Sequence, residues 1–172
     1  DYTVKIAPDL NGDGVRDYLI AAPKYDLPST SEACANGPLF DSPYGPDSGK
    51  LFIYSGADGN ELWSKVGGQE YDEYGRSAAF MPDLNGDTVP DLLVRYGGLL
   101  CRYEERIEAL SGSNGSTIYT IAPDVEDLAL ISGRSIAALR DLNADGVTDF
   151  VAIWSSTGKA VVYSGQTGAM IY

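Results

Sequence analysis

Apolar residues along this chain fall in short runs, and none has the length and 3.6-residue spacing of a helix. Runs at 77–81 and 135–139 each precede an aspartate-rich segment, and runs at 92–94 and 150–154 follow one. Runs at 51–54 and 160–163 lead into a Ser-Gly pair. A further short run leaves each Asp-Gly, Asn-Gly or Thr-Gly turn, where glycine supplies the positive φ a tight hairpin requires. The pattern predicts units of four short strands and an all-β chain.

The units repeat. The segments DLNGDGVRD at 9–17, DLNGDTVPD at 83–91 and DLNADGVTD at 141–149 are three versions of one loop. Each is followed by a Ser-Gly turn, at 55–59, 111–115 and 164–168, and then by Leu62-Trp63, Ile118-Tyr119 or Ile171-Tyr172. The step from turn to next loop is nearly constant, 28 residues from Ser55 to Asp83 and 30 from Ser111 to Asp141. The step from loop to turn varies from 46 residues (9 to 55) to 28 (83 to 111) and 23 (141 to 164), which confines the length variation to one surface connection. Four-stranded antiparallel units at this period predict three β-propeller blades, at 1–66 with a long variable loop at 23–48, at 67–122 and at 123–172. The pattern opens on a first strand and closes in a fourth, so three whole blades are expected. Three are too few for a ring, which predicts an incomplete propeller or one completed by association into a closed oligomer or a fibre.

Charge narrows the function classes. Twelve Lys and Arg against 25 Asp and Glu give −13, the wrong sign for a nucleic-acid partner. Histidine is absent, which removes Ser-His-Asp and Cys-His catalysis and imidazole-based zinc sites. No apolar run approaches the roughly 18 residues of a membrane span.

Much of the acid excess sits in the repeated loops. Oxygen donors at loop positions 1, 3, 5, 7 and 9 can surround one hard cation. These are Asp9, Asn11, Asp13, the Val15 carbonyl and Asp17 in the first loop. The second offers Asp83, Asn85, Asp87, Val89 and Asp91, and the third Asp141, Asn143, Asp145, Val147 and Asp149. Oxygen donors at this density suit Ca²⁺, about three ions in all, better than Mg²⁺, which gives up its water reluctantly. An EF-hand would need flanking helices and a Glu at position 12, and the loops have neither. The competing reading is that Asp, Asn and Gly simply build turns, and the threefold recurrence of the carboxylate set argues against it. Leu10, Leu84 and Leu142 are expected to turn inward, and Thr88, standing where the other loops have glycine, is expected to strain its turn.

These residues resemble the FG-GAP repeats of the integrin α-subunit propeller and its bacterial relatives. Tyr74-Gly75 stands where the family has Phe-Gly, and Ala21-Ala22-Pro23 where it has Gly-Ala-Pro. Arg95-Tyr96-Gly97 and Trp154-Ser155-Ser156 depart from that second pattern. The resemblance implies a propeller, calcium at the loops, and an extracellular or cell-surface place in adhesion or ligand binding. It leaves open a protein or glycan ligand held by the variable loops of a larger adhesin or lectin, and an accessory domain of a carbohydrate-active enzyme.

Cys34 and Cys101 fall in the variable connections of adjacent units, where an extracellular setting favours a disulfide between them. Asn114 begins an Asn-Gly-Ser glycosylation sequon, but Asn-Gly is also the residue pair a tight turn prefers. Tyr54, Tyr119, Tyr163 and Tyr172 recur at fixed strand positions and read as packing between units. Glu104, Glu105 and Glu108 form no paired arrangement of the glycosidase kind, so no catalytic activity is expected.

Overall fold

The computed structural model describes residues 2–26, 47–68, 72–97, 105–122, 136–154 and 159–172. They form eleven strands and no helix. Strands β1 (Thr3–Ile6), β2 (Tyr18–Ala22), β3 (Lys50–Tyr54) and β4 (Glu61–Val66) make sheet 1. Sheet 2 contains β5 (Ser77–Met81), β6 (Asp91–Tyr96), β7 (Arg106–Leu110) and β8 (Thr117–Ile121). Sheet 3 contains β9 (Ile136–Ala138), β10 (Phe150–Trp154) and β11 (Lys159–Tyr163). Each sheet is an antiparallel meander in chain order. The fourth strand expected in the last unit is reduced to a bridge between Tyr163 and Met170. Backbone bonds of Val162 with Ile171 and Tyr172 accompany it.

The strands follow from alternation. Leu19 and Ala21 on β2 and Leu51 and Ile53 on β3 point to one face and are buried, while Tyr18, Ile20, Phe52 and Tyr54 point to the other and are half-buried. In β6 Leu92 to Arg95 are all buried, because sheet 2 lies between the other two. Leu92 and Val94 join Leu19, Leu51 and Ile53 in one apolar cluster. Leu93, Ile107 and Ala109 join Phe150, Ala152 and Trp154 in a second. Burying one such side chain contributes about 1.5–3 kcal/mol, so each cluster fixes one sheet against the next.

The hairpins joining third and fourth strands share one geometry. Gly59, Gly115 and Gly168 sit at φ +75°, +73° and +71° and donate N–H to the carbonyls of Ser55, Ser111 and Ser164. Asn114 is exposed at its turn and accepts from Ser116 N–H at 2.8 Å, the turn geometry its Asn-Gly pair suggests. Tyr74 is buried, and a side chain at neighbouring Gly75 (φ +86°) would press within 3.1 Å of Ala21. Cys34, Cys101, Glu104 and most of the 23–48 loop lie outside the described residues.

Two buried polar groupings join the sheets. Glu108 accepts from Lys65 Nζ (2.9 Å), the Tyr74 hydroxyl (2.5 Å) and the Thr117 hydroxyl (2.6 Å), linking sheet 2 to sheet 1. Arg95 donates to the Ile153 carbonyl at 2.6 Å, lies over the Trp154 ring and pairs with Glu105 at 2.5 Å, linking sheet 2 to sheet 3. Glu108 is therefore engaged in joining two sheets, and Glu105 in pairing the arginine that joins sheet 2 to sheet 3.

Candidate functional site

The three aspartate loops occupy the same place in their sheets, between first and second strands, and fold alike. Asp9 opens the first loop and accepts from Gly12 N–H (2.7 Å) and Asp13 N–H (3.2 Å) on one oxygen and from Gly14 N–H (2.7 Å) on the other. Asp83 does the same with Gly86, Asp87 and Thr88. Asp141 accepts from Ala144 and Gly146 at 2.7 and 2.9 Å. The chain must curl left-handed to aim these N–H groups inward. Gly12 and Gly14 do so without a side chain, whereas Thr88 and Ala144 are held at φ +71° and +61°.

Positions 3 and 5 lock together. Asn11, Asn85 and Asn143 each accept the N–H of the aspartate two residues on, at 3.0, 2.8 and 3.0 Å. Each also donates its side-chain amide to that aspartate's Oδ2. The other carboxylate oxygens of Asp13, Asp87 and Asp145 accept from the N–H of Val15, Val89 and Val147. Position 9 is different. Asp17, Asp91 and Asp149 are buried, and each bridges two main-chain donors. Asp91 accepts Leu84 N–H at 2.6 Å and Gly112 N–H at 3.0 Å. Asp17 does so with Leu10 and Gly56, and Asp149 with Leu142 and Gly165.

The Ser-Gly turn is thus part of the site, a role the sequence alone did not disclose. The hydroxyls of Ser111 and Ser164 donate to Asp87 and Asp145 at 3.1 and 3.0 Å, and Ser55 approaches Asp13 at 3.5 Å. The glycine after each serine has no room for a side chain. A Cβ at Gly56, Gly112 or Gly165 would fall within 1.9 Å of the carbonyl oxygen of Arg16, Pro90 or Thr148. The available signal was the presence of Ser-Gly in all three units at one distance from the hairpin glycine.

Charge in the loops follows from these bonds. The Gly14 N–H, more than any other group, holds Asp9 below the ordinary carboxylate range, and the Val147 N–H does the same for Asp145. In Asp87 partial desolvation works upward, but the Val89 N–H and the Asn85, Ser113 and Ser111 side chains outweigh it. Asp91 is pushed up, chiefly by burial, with the charges of Asp87 and Asp83 adding to it.

Among the described residues, no group of three or more acidic side chains is arranged around a common metal position. The donor chemistry of each loop nevertheless fits a hard cation. Every side-chain donor is oxygen, and residues 11–13 are exposed. The carboxylates at positions 1 and 9 accept N–H bonds that leave lone pairs over, since a carboxylate has about four such positions.

No family model matches the chain. Integrin alpha-3 of Cricetulus griseus is 30% identical over 140 residues, which is 72% of this chain and 13% of that protein's length. In fold the chain is similar to rhamnogalacturonan lyase PL11 of Bacillus licheniformis, with a TM-score of 0.51 and 14% identity. That match covers 99% of this chain and 34% of the lyase, so the chain spans a small part of both proteins.

Proposed function

We propose that the chain is a calcium-stabilised extracellular module built from three FG-GAP-like propeller blades, with a structural or ligand-binding role. The observation that carries this reading is the threefold recurrence of one loop geometry. In each unit an opening aspartate is cradled by main-chain N–H groups, an Asn-Asp pair is locked beside it, and a buried aspartate closes the base. Each carboxylate also bonds main-chain N–H groups, but three of them within nine residues gather more negative charge than a turn requires. Burial and the repulsion that raises Asp91 are what a divalent cation would relieve. Residues 9, 11, 13, 15 and 17 and their equivalents would hold Ca²⁺, which supplies charge neutralisation and a cross-link rather than chemistry. The similarity to integrin alpha-3 supports the blade reading and the extracellular placement.

Calorimetric unfolding in excess Ca²⁺ and in chelator tests this reading. Three bound ions would offset +6 of the −13 formal charge, and the expected result is a higher melting temperature with calcium that chelator reverses. Identical melting curves would overturn the calcium assignment.

A further inference from the structure

In sheets 2 and 3 the glycine of the Ser-Gly turn touches two aspartate loops, its own and that of the sheet before. Gly112, in the hairpin of sheet 2, donates its N–H to Asp91 of the second loop at 3.0 Å. Its carbonyl accepts the Trp63 indole N–H of sheet 1 at 2.8 Å, and a Cβ on it would lie 3.0 Å from Leu10 of the first loop. Gly165, one sheet on, repeats these contacts. Its N–H goes to Asp149 of the third loop at 3.1 Å, and its carbonyl accepts the Tyr119 hydroxyl of sheet 2 at 2.8 Å. Leu84 of the second loop lies 3.3 Å from its Cβ position. Each glycine also lies against its own loop, where the Pro90 or Thr148 carbonyl oxygen is within 1.9 Å of the Cβ position.

What these glycines hold gives the contacts their weight. Asp91 and Asp149 are buried, and each is aimed by two main-chain donors, one from the leucine of its own loop and one from the turn glycine. Glycine is the least constrained residue in the backbone, so a donor on it points steadily only where its surroundings fix it. The serine before it bonds its own loop through Asp87 or Asp145. The clamp on its other side belongs to the preceding sheet, as an aromatic donor on the carbonyl and a leucine at the Cβ position. Burial pushes the Tyr119 phenol well above its ordinary range, and the charges of Asp91 and Asp149 add to it, so the hydroxyl keeps its proton and stays a donor.

We propose that Trp63 and Tyr119 are positioning residues for the cation site of the following unit: Trp63, with Leu10, sets Asp91 through Gly112, and Tyr119, with Leu84, sets Asp149 through Gly165. The inference rests on the calcium reading above and deepens it, since the second and third loops then each depend on the sheet before them. Outer partners of this kind act by fixing the orientation of a ligand, and their loss weakens a metal site without removing a donor from it. By linkage, the seating of one sheet on the next is strengthened in a filled loop by the same factor that the seating contributes to binding. Cation binding and sheet stacking are thereby one coupled equilibrium.

Calorimetric titration with Ca²⁺ of the 172-residue chain, in backgrounds that keep one loop at a time, tests the inference. Asp13→Ala with Asp87→Ala leaves the third loop intact, and Asp13→Ala with Asp145→Ala leaves the second. Tyr119→Phe removes a single hydroxyl and is expected to weaken Ca²⁺ binding at the third loop by about tenfold while leaving the second unchanged. Trp63→Phe is expected to weaken the second loop and leave the third unchanged. Melting curves in chelator establish that each variant is folded before it is titrated. A purely structural role for the two aromatics would loosen the stack and weaken both loops in either variant, so a loss without this site selectivity overturns the inference. Affinities that neither variant changes overturn it too, and in that case the calcium module stands without it. Failure of the wild type to bind Ca²⁺ at all removes the calcium reading itself, and the positioning role falls with it.

Discussion

Trp63 sets its indole N–H on the carbonyl of Gly112, 2.8 Å away and 49 residues on in the chain. One sheet further, Tyr119 makes the same contact with Gly165. The ring also fills the space a side chain would need, since a Cβ at Gly115 would lie 2.7 Å from Trp63 and one at Gly168 would lie 2.8 Å from Tyr119. Tyr119→Phe removes the hydroxyl alone and should cost about 1 kcal/mol, the net value of one hydrogen bond. Gly115→Ala meets both the ring and a φ of +73° and should cost more than Tyr119→Phe. Urea unfolding of the two variants beside wild type measures the order, and a harmless Gly115→Ala would show that the ring moves aside freely.

Thr88 is a β-branched residue held at φ +71°, where its equivalents are Gly14 and Gly146. A Cβ at those glycines meets nothing within 4 Å, so the strain at Thr88 comes from its own backbone. Thr88→Gly should therefore stabilise the protein by about 1 kcal/mol, the left-handed penalty less the extra chain entropy glycine loses on folding. Ala144→Gly should act in the same direction. Thermal melts read both, and a loss of stability in Thr88→Gly would mean the threonine side chain contributes more than its backbone conformation costs.

The strands and loops were legible because they repeat and alternate. Glycine before the hairpin, apolar residues every second position and nine-residue acidic loops are local signals. What was not legible depends on contacts between distant segments. Asp17 reads as the last residue of its loop, yet its carboxylate is shared with Gly56, 39 residues away. Arg95 reads as a polar residue after an apolar run, but sheet 3 covers it and supplies the Ile153 carbonyl and the Trp154 ring. The last unit reads as four strands, yet its fourth is one bridge at Met170 with two exposed side chains around it, Met170 and Tyr172. Periodicity says nothing about which face a neighbour will cover.

Asp91 and the loop carboxylates pull acid stability in opposite directions. Asp9, Asp87 and Asp145 are held below their ordinary 3.8, so they contribute stability that is present above that value and is lost as pH falls through their folded values. Asp91 is raised above 3.8, so its contribution is present below that value and is lost as pH rises through its folded value. The protein should therefore lose stability below about pH 4, and Asp91 softens that loss. Asp91→Asn puts an NH₂ against one of two N–H donors, Leu84 or Gly112, and should cost about 1–3 kcal/mol near neutral pH. It should also steepen the fall between about pH 5 and 3. Melting temperatures of wild type and variant across that range check the sign, and a shallower acid limb in the variant would reverse the assignment for Asp91.

Arg95 and Glu105 form an ion pair that is 1% and 8% exposed in its side chains, between sheets 2 and 3. The contact is close, but Arg95 Nε and Nη2 make no aligned hydrogen bond, so the guanidinium is incompletely satisfied where it is buried. Desolvation of such a pair consumes much of its attraction, while removing one partner strands the other. Glu105→Leu alone should therefore cost about 3–5 kcal/mol. Arg95→Met with Glu105→Leu should cost far less, because the apolar pair joins the cluster of Leu93, Ile107, Ala152 and Trp154 already there. The Ile153 carbonyl loses its Arg95 donor in the double variant, which adds about 1 kcal/mol back. Denaturant unfolding of both single variants and the double gives the coupling between the two side chains. Costs that simply add would show that the pair is held for something other than mutual neutralisation.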